Sequence, residues 1–159
     1  MKNIVEQSFG NKIRLRVCGL CFKQDGLLLV KHEGVGSEGI LWAPPGGGVE
    51  FGESAEDALT REFEEETGLK VEVKEFLFAN EVITPPLHAV ELFFLVEISS
   101  GMLGLGTDPE LSKENQIMRD IKFVTFSELQ IMDTKTIHNT LHGVSNKKTL
   151  INMRGYFKF

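Results

Sequence analysis

The positions of hydrophobic and polar residues predict a chain dominated by β-strands. The first two strand-like segments, KIRLRVCGLCF and GLLLVKH, flank Gln24, Asp25 and Gly26, and Asp-Gly between such segments predicts a tight hairpin. Three later segments, KVEVKEFLFANEVI, HAVELFFLVEIS and IKFVTF, alternate or run apolar as strands of a buried sheet do. Residues 33–48 are rich in glycine and proline and are predicted to be mostly loop.

Two segments have helical signals instead. Residues 55–67 are bounded by Ser54, a good N-cap, and by Gly68, which can take the left-handed conformation that ends a helix. The segment FSELQIM resembles the start of a shorter helix that is capped by Ser127, immediately before Glu128. Strands mixed with two helices predict an α/β or α+β sandwich.

Composition narrows the class of protein. The length predicts one domain over residues 1–159. A formal charge of −6 disfavours a general nucleic-acid or anionic-membrane surface, and the absence of a signal-like or membrane-spanning segment predicts a cytoplasmic protein. Cys18 and Cys21 lie within a strand-like segment without a second cysteine pair, so we expect buried free thiols rather than a zinc site.

The predicted helix 55–67 carries acidic residues on its apolar side. A helical wheel places Ala55, Ala58, Leu59 and Phe63 together with Glu62, Glu65 and Glu66. The opposite, ordinary solvated side holds Glu56, Asp57, Thr60, Arg61, Glu64 and Thr67. Like charges three and four residues apart oppose a helix by about 0.2–0.5 kcal/mol per pair. A divalent cation such as Mg²⁺ or Mn²⁺ would remove this conflict, whereas a solvated acidic helix end is the alternative.

Glycines come immediately before this helix. Gly46, Gly47, Gly48 and Gly52 lie in PPGGGVEFGE, where the backbone can approach a phosphate or offer a carbonyl oxygen to a metal. Together with the acidic side of the helix, they predict a site where a cation bridges carboxylates and substrate phosphates.

The stretch GGVEFGESAEDALTREFEEETGL resembles the Nudix box, G-x5-E-x7-R-E-U-x-E-E-x-G-U, where U is apolar. The matching positions are Gly47, Glu53, Arg61, Glu62, Phe63, Glu65, Glu66, Gly68 and Leu69. The resemblance implies the Nudix fold, a mixed sheet between helices, for a single domain. It also implies Mg²⁺-dependent hydrolysis of a nucleoside diphosphate linked to another moiety, with Mn²⁺ as a possible substitute. One departure is Pro44, where family members usually carry another apolar residue.

The resemblance also implies roles for individual residues. Glu62, Glu65 and Glu66 would hold metal, with the Gly47 carbonyl as a further ligand. Arg61 would orient these acids and pair with Glu53, and a water activated by the metal would attack phosphorus. Family members often take a general base from a loop beyond the box, and Glu114 is favoured over Glu110 for that role, against the alternative of an exposed loop residue.

Other residues are candidates for substrate contacts. Arg16, on the same strand face as Arg14, could reach a phosphate, and Gly46 and Gly48 could let the backbone approach it. Pro85 lies sixteen positions beyond the box and resembles a marker of ADP-ribose hydrolases in the family. Trp42 and Phe78 could stack on a base, although core packing is the commoner role.

Several functions stay open at this point. ADP-ribose or a nucleotide-sugar is the favoured small-molecule substrate. The alternatives are a nucleoside triphosphate diphosphatase of the 8-oxo-dGTP type, a non-catalytic module that senses nucleotide-sugars, and a calcium-binding helix. The position of Tyr156 disfavours a dinucleoside-polyphosphate hydrolase. No nucleic acid or membrane partner is expected, and a homodimer is possible.

Overall fold

The computed structural model describes residues 4–159 and contains four helices and eight strands within them. The helices are α1 (Ile4–Phe9), α2 (Ala55–Thr67), α3 (Phe126–Ile131) and α4 (Lys147–Ile151). The strands are β1 (Ile13–Lys23), β2 (Gly26–Glu33), β3 (Ile40–Ala43), β4 (Gly46–Gly48), β5 (Leu69–Thr84), β6 (Leu87–Gly101), β7 (Met118–Thr125) and β8 (Gly155–Phe157). Short 3₁₀ turns occupy Lys113–Asn115, Thr134–Thr136 and Asn139–Leu141.

The strands form a mixed sheet in the order β3-β2-β1-β6-β5-β8, with β4 also paired to β1 and β7 to β2. The pairs β1–β6 and β5–β8 are parallel, and the others are antiparallel. The hairpin predicted around Asp25 is confirmed, because β1 and β2 close at the pair Lys23–Gly26. Parallel and antiparallel pairs thus occur together, as in the predicted mixed sheet.

Helices and turns cover both faces of the sheet. Helix α2 buries Leu59 and Phe63 against one face, while Leu129 of α3 and Leu150 of α4 pack on the other. The predicted sandwich of a mixed sheet between helices is therefore confirmed. Within residues 4–159, the longest helices remain too short and polar to cross a bilayer.

Helix α2 has the predicted bounds. The Ser54 hydroxyl accepts a hydrogen bond from Asp57 N–H at 3.0 Å, and Gly68 ends the helix with φ of 72°. The prediction that Thr67 is solvated was wrong. Thr67 is fully buried, donating from its hydroxyl to Phe63 O at 2.6 Å and accepting from Leu69 N–H at 3.1 Å, so local bonds satisfy its polar group.

Two further predictions are corrected. The segment 33–48 is not mostly loop, because β3 pairs with β2 and β4 pairs with β1. Helix α3 is capped by Thr125 rather than Ser127, since the Thr125 hydroxyl accepts from Glu128 N–H while the Glu128 carboxylate accepts from Thr125 N–H. Cys18 and Cys21 are buried free thiols, as expected.

Candidate active site

A cavity of about 810 Å³ opens at the end of the sheet beside α2. Its volume lies within the range of about 300–1,000 Å³ typical of small-molecule sites. Predicted site residues in its lining are Arg16, Gly46, Gly47, Gly48, Glu62, Glu66 and Pro85. The cavity therefore brings together segments that lie far apart in the sequence.

Two carboxylates of α2 are buried beside this cavity. Glu62 is 6% exposed and Glu66 is 5% exposed. The pKa of Glu62 is raised to about 7 and that of Glu66 to about 8, chiefly by burial and also by the charge of neighbouring acids. Ionising both groups is therefore costly without a positive charge between or beside them.

The glycines of β4 shape this acidic pair. Gly46 N–H donates to the Glu66 carboxylate at 3.1 Å, which fixes one of its oxygens. A Cβ on Gly47 would overlap the Glu62 carboxyl group. The absence of a side chain at Gly47 is thus what allows Glu62 to lie against the backbone of β4.

Arg61 connects the acids of the helix to the preceding loop. Its Nε and Nη2 donate to the two oxygens of Glu53 at 3.2 and 2.8 Å, so the two side chains form a bidentate pair. Its Nη1 donates to Glu62 at 2.9 Å and to Glu65 at 3.1 Å, and Nη2 also reaches Gly48 O at 3.2 Å. Hydrogen bonding to Glu53 raises the pKa of Arg61 and lowers that of Glu53.

The donor set suits a hard divalent cation. Within residues 4–159, no three His, Cys, Asp or Glu side chains already converge in a metal-ligating geometry. Glu62 and Glu65 both point instead to Nη1 of Arg61, which supplies positive charge there. Carboxylate and carbonyl oxygens are the ligands that Mg²⁺ and Mn²⁺ take, and the buried pair Glu62 and Glu66 is stabilised by such a charge. The residues therefore fit the ion in their chemistry.

Two arginines of β1 line the same cavity. Arg14 Nη2 lies 3.4 Å from Glu110, and Arg16 Nη1 lies 3.4 Å from Glu91. Burial, and then the charge of Arg16, lower the pKa of Arg14 to about 10. Like charges are thus crowded on both sides of the cavity, acids on α2 and guanidinium groups on β1.

The loop after β6 adds acids to this cavity, but not the one favoured from the sequence. Asp108 and Glu110 line the cavity, whereas Glu114 is exposed in a separate shallow depression. The Gln116 side chain causes this arrangement by bonding to Asp108 N–H at 2.7 Å and to the carbonyls of Asp108 and Leu111. Glu114 is therefore not brought to the acidic cluster. Asp108 was missed, because its proximity to Glu62 depends on how the loop folds back.

The remaining candidates divide between cavity and core. Phe78 is fully buried in the core, and Trp42 packs partly buried against the same cluster, so neither is offered to a base in the cavity. A wall that sequence reasoning missed comes from the turns before α4. It contributes Thr134, Lys135, Ile137, His138, Asn139 and His142.

The raised acid pKa values predict how metal and pH act on stability. Between the ordinary value of 4.5 and about 7 to 8, the folded chain binds more protons at Glu62 and Glu66 than the unfolded chain does. The contribution of these groups to the free energy of unfolding therefore falls as pH rises through this window and levels above it. If these carboxylates hold Mg²⁺, the ion binds their ionised form, so we expect Mg²⁺ to raise the melting temperature more at about pH 8.5 than near pH 6.

Thermal unfolding with and without Mg²⁺ across this window measures the effect. Glu66→Gln mimics the protonated acid, so the metal-free variant should gain stability relative to the parent chain as pH rises. A Mg²⁺-induced shift that does not change with pH would contradict the assignment of these acids.

The chain matches a known family and known proteins. The model of the NUDIX domain matches residues 12–142, more than half of the chain. An ADP-ribose pyrophosphatase of Methanocaldococcus jannaschii is 34% identical over 115 residues, which cover 67% of this chain and 68% of that protein. The nucleoside triphosphatase NudI of an Enterobacter species is 34% identical over 128 residues, covering 76% and 87%.

Solved structures show the same fold. The crystal structure of a MutT NUDIX hydrolase from Burkholderia pseudomallei superposes with a TM-score of 0.66 at 23% identity. The match covers 84% of this chain and 98% of that one. At this level of identity the likeness concerns the arrangement of the sheet and helices.

Proposed function

This chain belongs to the Nudix family of hydrolases that act on phosphorus anhydrides, and on that premise we propose that it is a Mg²⁺-dependent pyrophosphohydrolase. Its substrate is a nucleoside diphosphate linked to another moiety, with ADP-ribose or a nucleotide-sugar favoured. Mn²⁺ substitutes for Mg²⁺. The site residues below are part of the same proposal.

One observation carries the proposal. The buried acids Glu62 and Glu66 and the paired arginines Arg14 and Arg16 line one cavity, and each set suffers repulsion among its own charges. A diphosphate bound together with a divalent cation relieves both repulsions, because the cation offsets the acids and the phosphates offset the arginines. A neutral ligand would relieve neither.

The residues divide the work as follows. Glu62, Glu65, Glu66 and the Gly47 carbonyl would hold the cation, with Glu65 exchanging its bond to Arg61 for the ion. A bound divalent cation would supply positive charge to the anhydride and activate the attacking water. Arg61 and Glu53 hold the acids in place, and Arg16 with the backbone of Gly46 and Gly48 positions the phosphates.

A general base is proposed from the loop after β6. The sequence-based choice of Glu114 stays a prediction, but Glu114 lines a separate depression whereas Glu110 lines the cavity, which makes Glu110 the better candidate. Glu110 accepts a bond from Arg14, and Asp108 beside it raises the pKa of both Glu62 and Glu66 by its charge. Both carboxylates line the cavity, and either would accept the proton that leaves the attacking water.

Charge favours a diphosphate diester as substrate. Each cavity arginine already has a carboxylate partner, Glu110 for Arg14 and Glu91 for Arg16. Little cationic charge is left for a triphosphate, which is more negative than a diphosphate diester. The similarity to an ADP-ribose pyrophosphatase and the position of Pro85 in the lining support the same class.

A nucleoside triphosphate is the second candidate. The specific observation in its favour is the similarity to a nucleoside triphosphatase that aligns over 87% of that protein's length. A triphosphate is more negative than a diphosphate diester, so it would need a further cation in the cavity.

A substrate panel distinguishes these candidates. ADP-ribose, nucleotide-sugars, ordinary nucleoside triphosphates and 8-oxo-dGTP would be assayed with Mg²⁺, Mn²⁺ or a chelator. We expect ADP-ribose or a nucleotide-sugar to be hydrolysed fastest, to a nucleoside monophosphate and a sugar phosphate. Faster release of pyrophosphate from a triphosphate would select the second candidate, and no metal-dependent hydrolysis of any compound would refute both.

A further inference from the structure

A row of polar side chains crosses the sheet under the cavity. Strand pairing aligns Gly48 of β4 with Arg16 of β1, Arg16 with Glu91 of β6, and Glu91 with Asn80 of β5. Asn80 is fully buried and Glu91 is 2% exposed. A buried carboxylate in the middle of a sheet is costly unless its hydrogen-bonding capacity is used.

Glu91 is well supplied with donors. One carboxylate oxygen accepts from His138 Nε2 at 2.7 Å and from Asn80 Nδ2 at 3.1 Å, and the other lies 3.4 Å from Arg16 Nη1. Burial raises the pKa of Glu91, but His138 and Arg16 outweigh it and hold that pKa at about 2. Glu91 is therefore a permanent anion in the wall of the cavity.

The donors to Glu91 are fixed in direction. His138 Nδ1 lies 2.8 Å from the Thr140 hydroxyl and 3.3 Å from Thr140 N, which fixes the ring. Nε2 donates to Glu91, because an ionised carboxylate only accepts. The second amide hydrogen bond of Asn80 goes to Asn139 Oδ1 at 3.2 Å. These contacts join the wall formed by residues 134–142 to the sheet. Arg16, Glu91, His138 and Asn139 all line the cavity, with Arg16 beside the glycines of β4.

Arg16 is held but not satisfied. Its Nη1 faces Glu91, while its Nε is buried and lacks a hydrogen-bond partner among residues 4–159. An unpaired donor of this kind is costly, so the guanidinium group keeps hydrogen-bonding capacity that the protein does not use. The Arg16 side chain is 29% exposed and lines the cavity, where a phosphate oxygen is an acceptor of the right charge.

From this geometry we propose that Glu91 is a positioning residue, which acts through Arg16 to set the orientation of the guanidinium group that receives the substrate's diphosphate. His138 and Asn80 hold the carboxylate oxygen of Glu91 that does not face Arg16. The inference rests on the proposed function, since it names the residue that prepares the phosphate contact of that same site. Preorganisation of this kind favours substrate binding, because the guanidinium group of Arg16 does not have to be ordered when the substrate arrives.

Glu91→Gln breaks this contact selectively. If the amide NH₂ of the glutamine faced His138 and Asn80, it would oppose two fixed donors, whereas facing Arg16 it opposes one. The amide oxygen should therefore stay with His138 and Asn80, and Arg16 should lose its partner. We expect KM to rise about tenfold while kcat changes less than about threefold.

A double-mutant cycle separates positioning from a general structural role. In an Arg16→Ala background, Glu91→Gln should change kcat/KM by less than about twofold, because the group it orients is gone. If the tenfold effect persists in that background, the inference is refuted. The same cycle on the dissociation constant of ADP, by calorimetry, needs no turnover and tests the inference even if the chain hydrolyses nothing in the panel.

Controls keep the outcome interpretable. Glu75→Gln makes the same change at another glutamate–arginine pair, Glu75–Arg154, whose members are about half exposed, and it should leave KM unchanged. If Glu91→Gln does not fold, Arg16→Lys decides instead, since lysine keeps the charge but cannot make both contacts. It should also raise KM about tenfold, and a normal KM would refute the inference. If the parent chain hydrolyses no compound of the panel, the proposed function is refuted, and the inference is still tested by the binding of ADP.

Discussion

Replacing Glu65 by glutamine is expected to abolish Mg²⁺-dependent hydrolysis while leaving the protein folded. The side chain is 28% exposed and its partner, Arg61 Nη1, also bonds Glu62, so folding loses little. A cation held by one carboxylate fewer supplies less charge to the transition state. The stabilisation of transition-state charge by a metal ion is worth several kcal/mol. At about 1.36 kcal/mol per tenfold change in rate, the loss in kcat should be on the order of 10³-fold.

Glu64→Gln is the matched control for this experiment. Glu64 is the neighbouring residue on the same helix, about half exposed, and its carboxylate lies 3.7 Å from Lys70 Nζ. Its replacement should leave kcat within about twofold, because surface ion pairs of this kind contribute little. Steady-state rates over a Mg²⁺ titration, with melting temperatures for each variant, measure both effects. Unchanged turnover in Glu65→Gln would remove Glu65 from the metal site.

Helix α2 could be predicted closely because its signals are local. Ser54 and Gly68 bound it by hydrogen bonds and backbone geometry that involve only neighbouring residues. The acids on its apolar side followed from helical periodicity, and Glu62 and Glu66 are indeed buried. Thr67 was misplaced because its polarity suggested solvent, whereas two short-range hydrogen bonds allow it to be buried.

Features that depend on distant parts of the chain could not be predicted in this way. Strand β4 consists of three glycines, which have little intrinsic preference for a strand, and its pairing is imposed by β1. The buried position of Glu91 arises from its alignment with Arg16 and Asn80 on two other strands. Asp108 reaches the acids of α2 only because Gln116 folds its loop back. In each case the decisive contact joins segments without a shared local pattern.

Gly47→Ala is expected to impair catalysis by displacing a carboxylate rather than by removing one. The methyl group would overlap the carboxyl group of Glu62, so that side chain must move away from β4. Glu62 can move because only Arg61 bonds it among the described side chains and backbone groups. The displaced Glu62 carboxylate could no longer hold the cation together with the Gly47 carbonyl. We therefore expect kcat to fall about 10²-fold or more.

The effect should be separable from a loss of folding. Gly104 has open space around the position of a Cβ and does not need a left-handed backbone, so Gly104→Ala is a matched control that should leave turnover within about twofold. Because Glu62 resists ionisation in its buried position, its displacement toward water should also weaken the pH dependence of the Mg²⁺-induced rise in melting temperature. If Gly47→Ala instead keeps the activity of the parent chain, the contact between Glu62 and the backbone of β4 has no part in holding the cation.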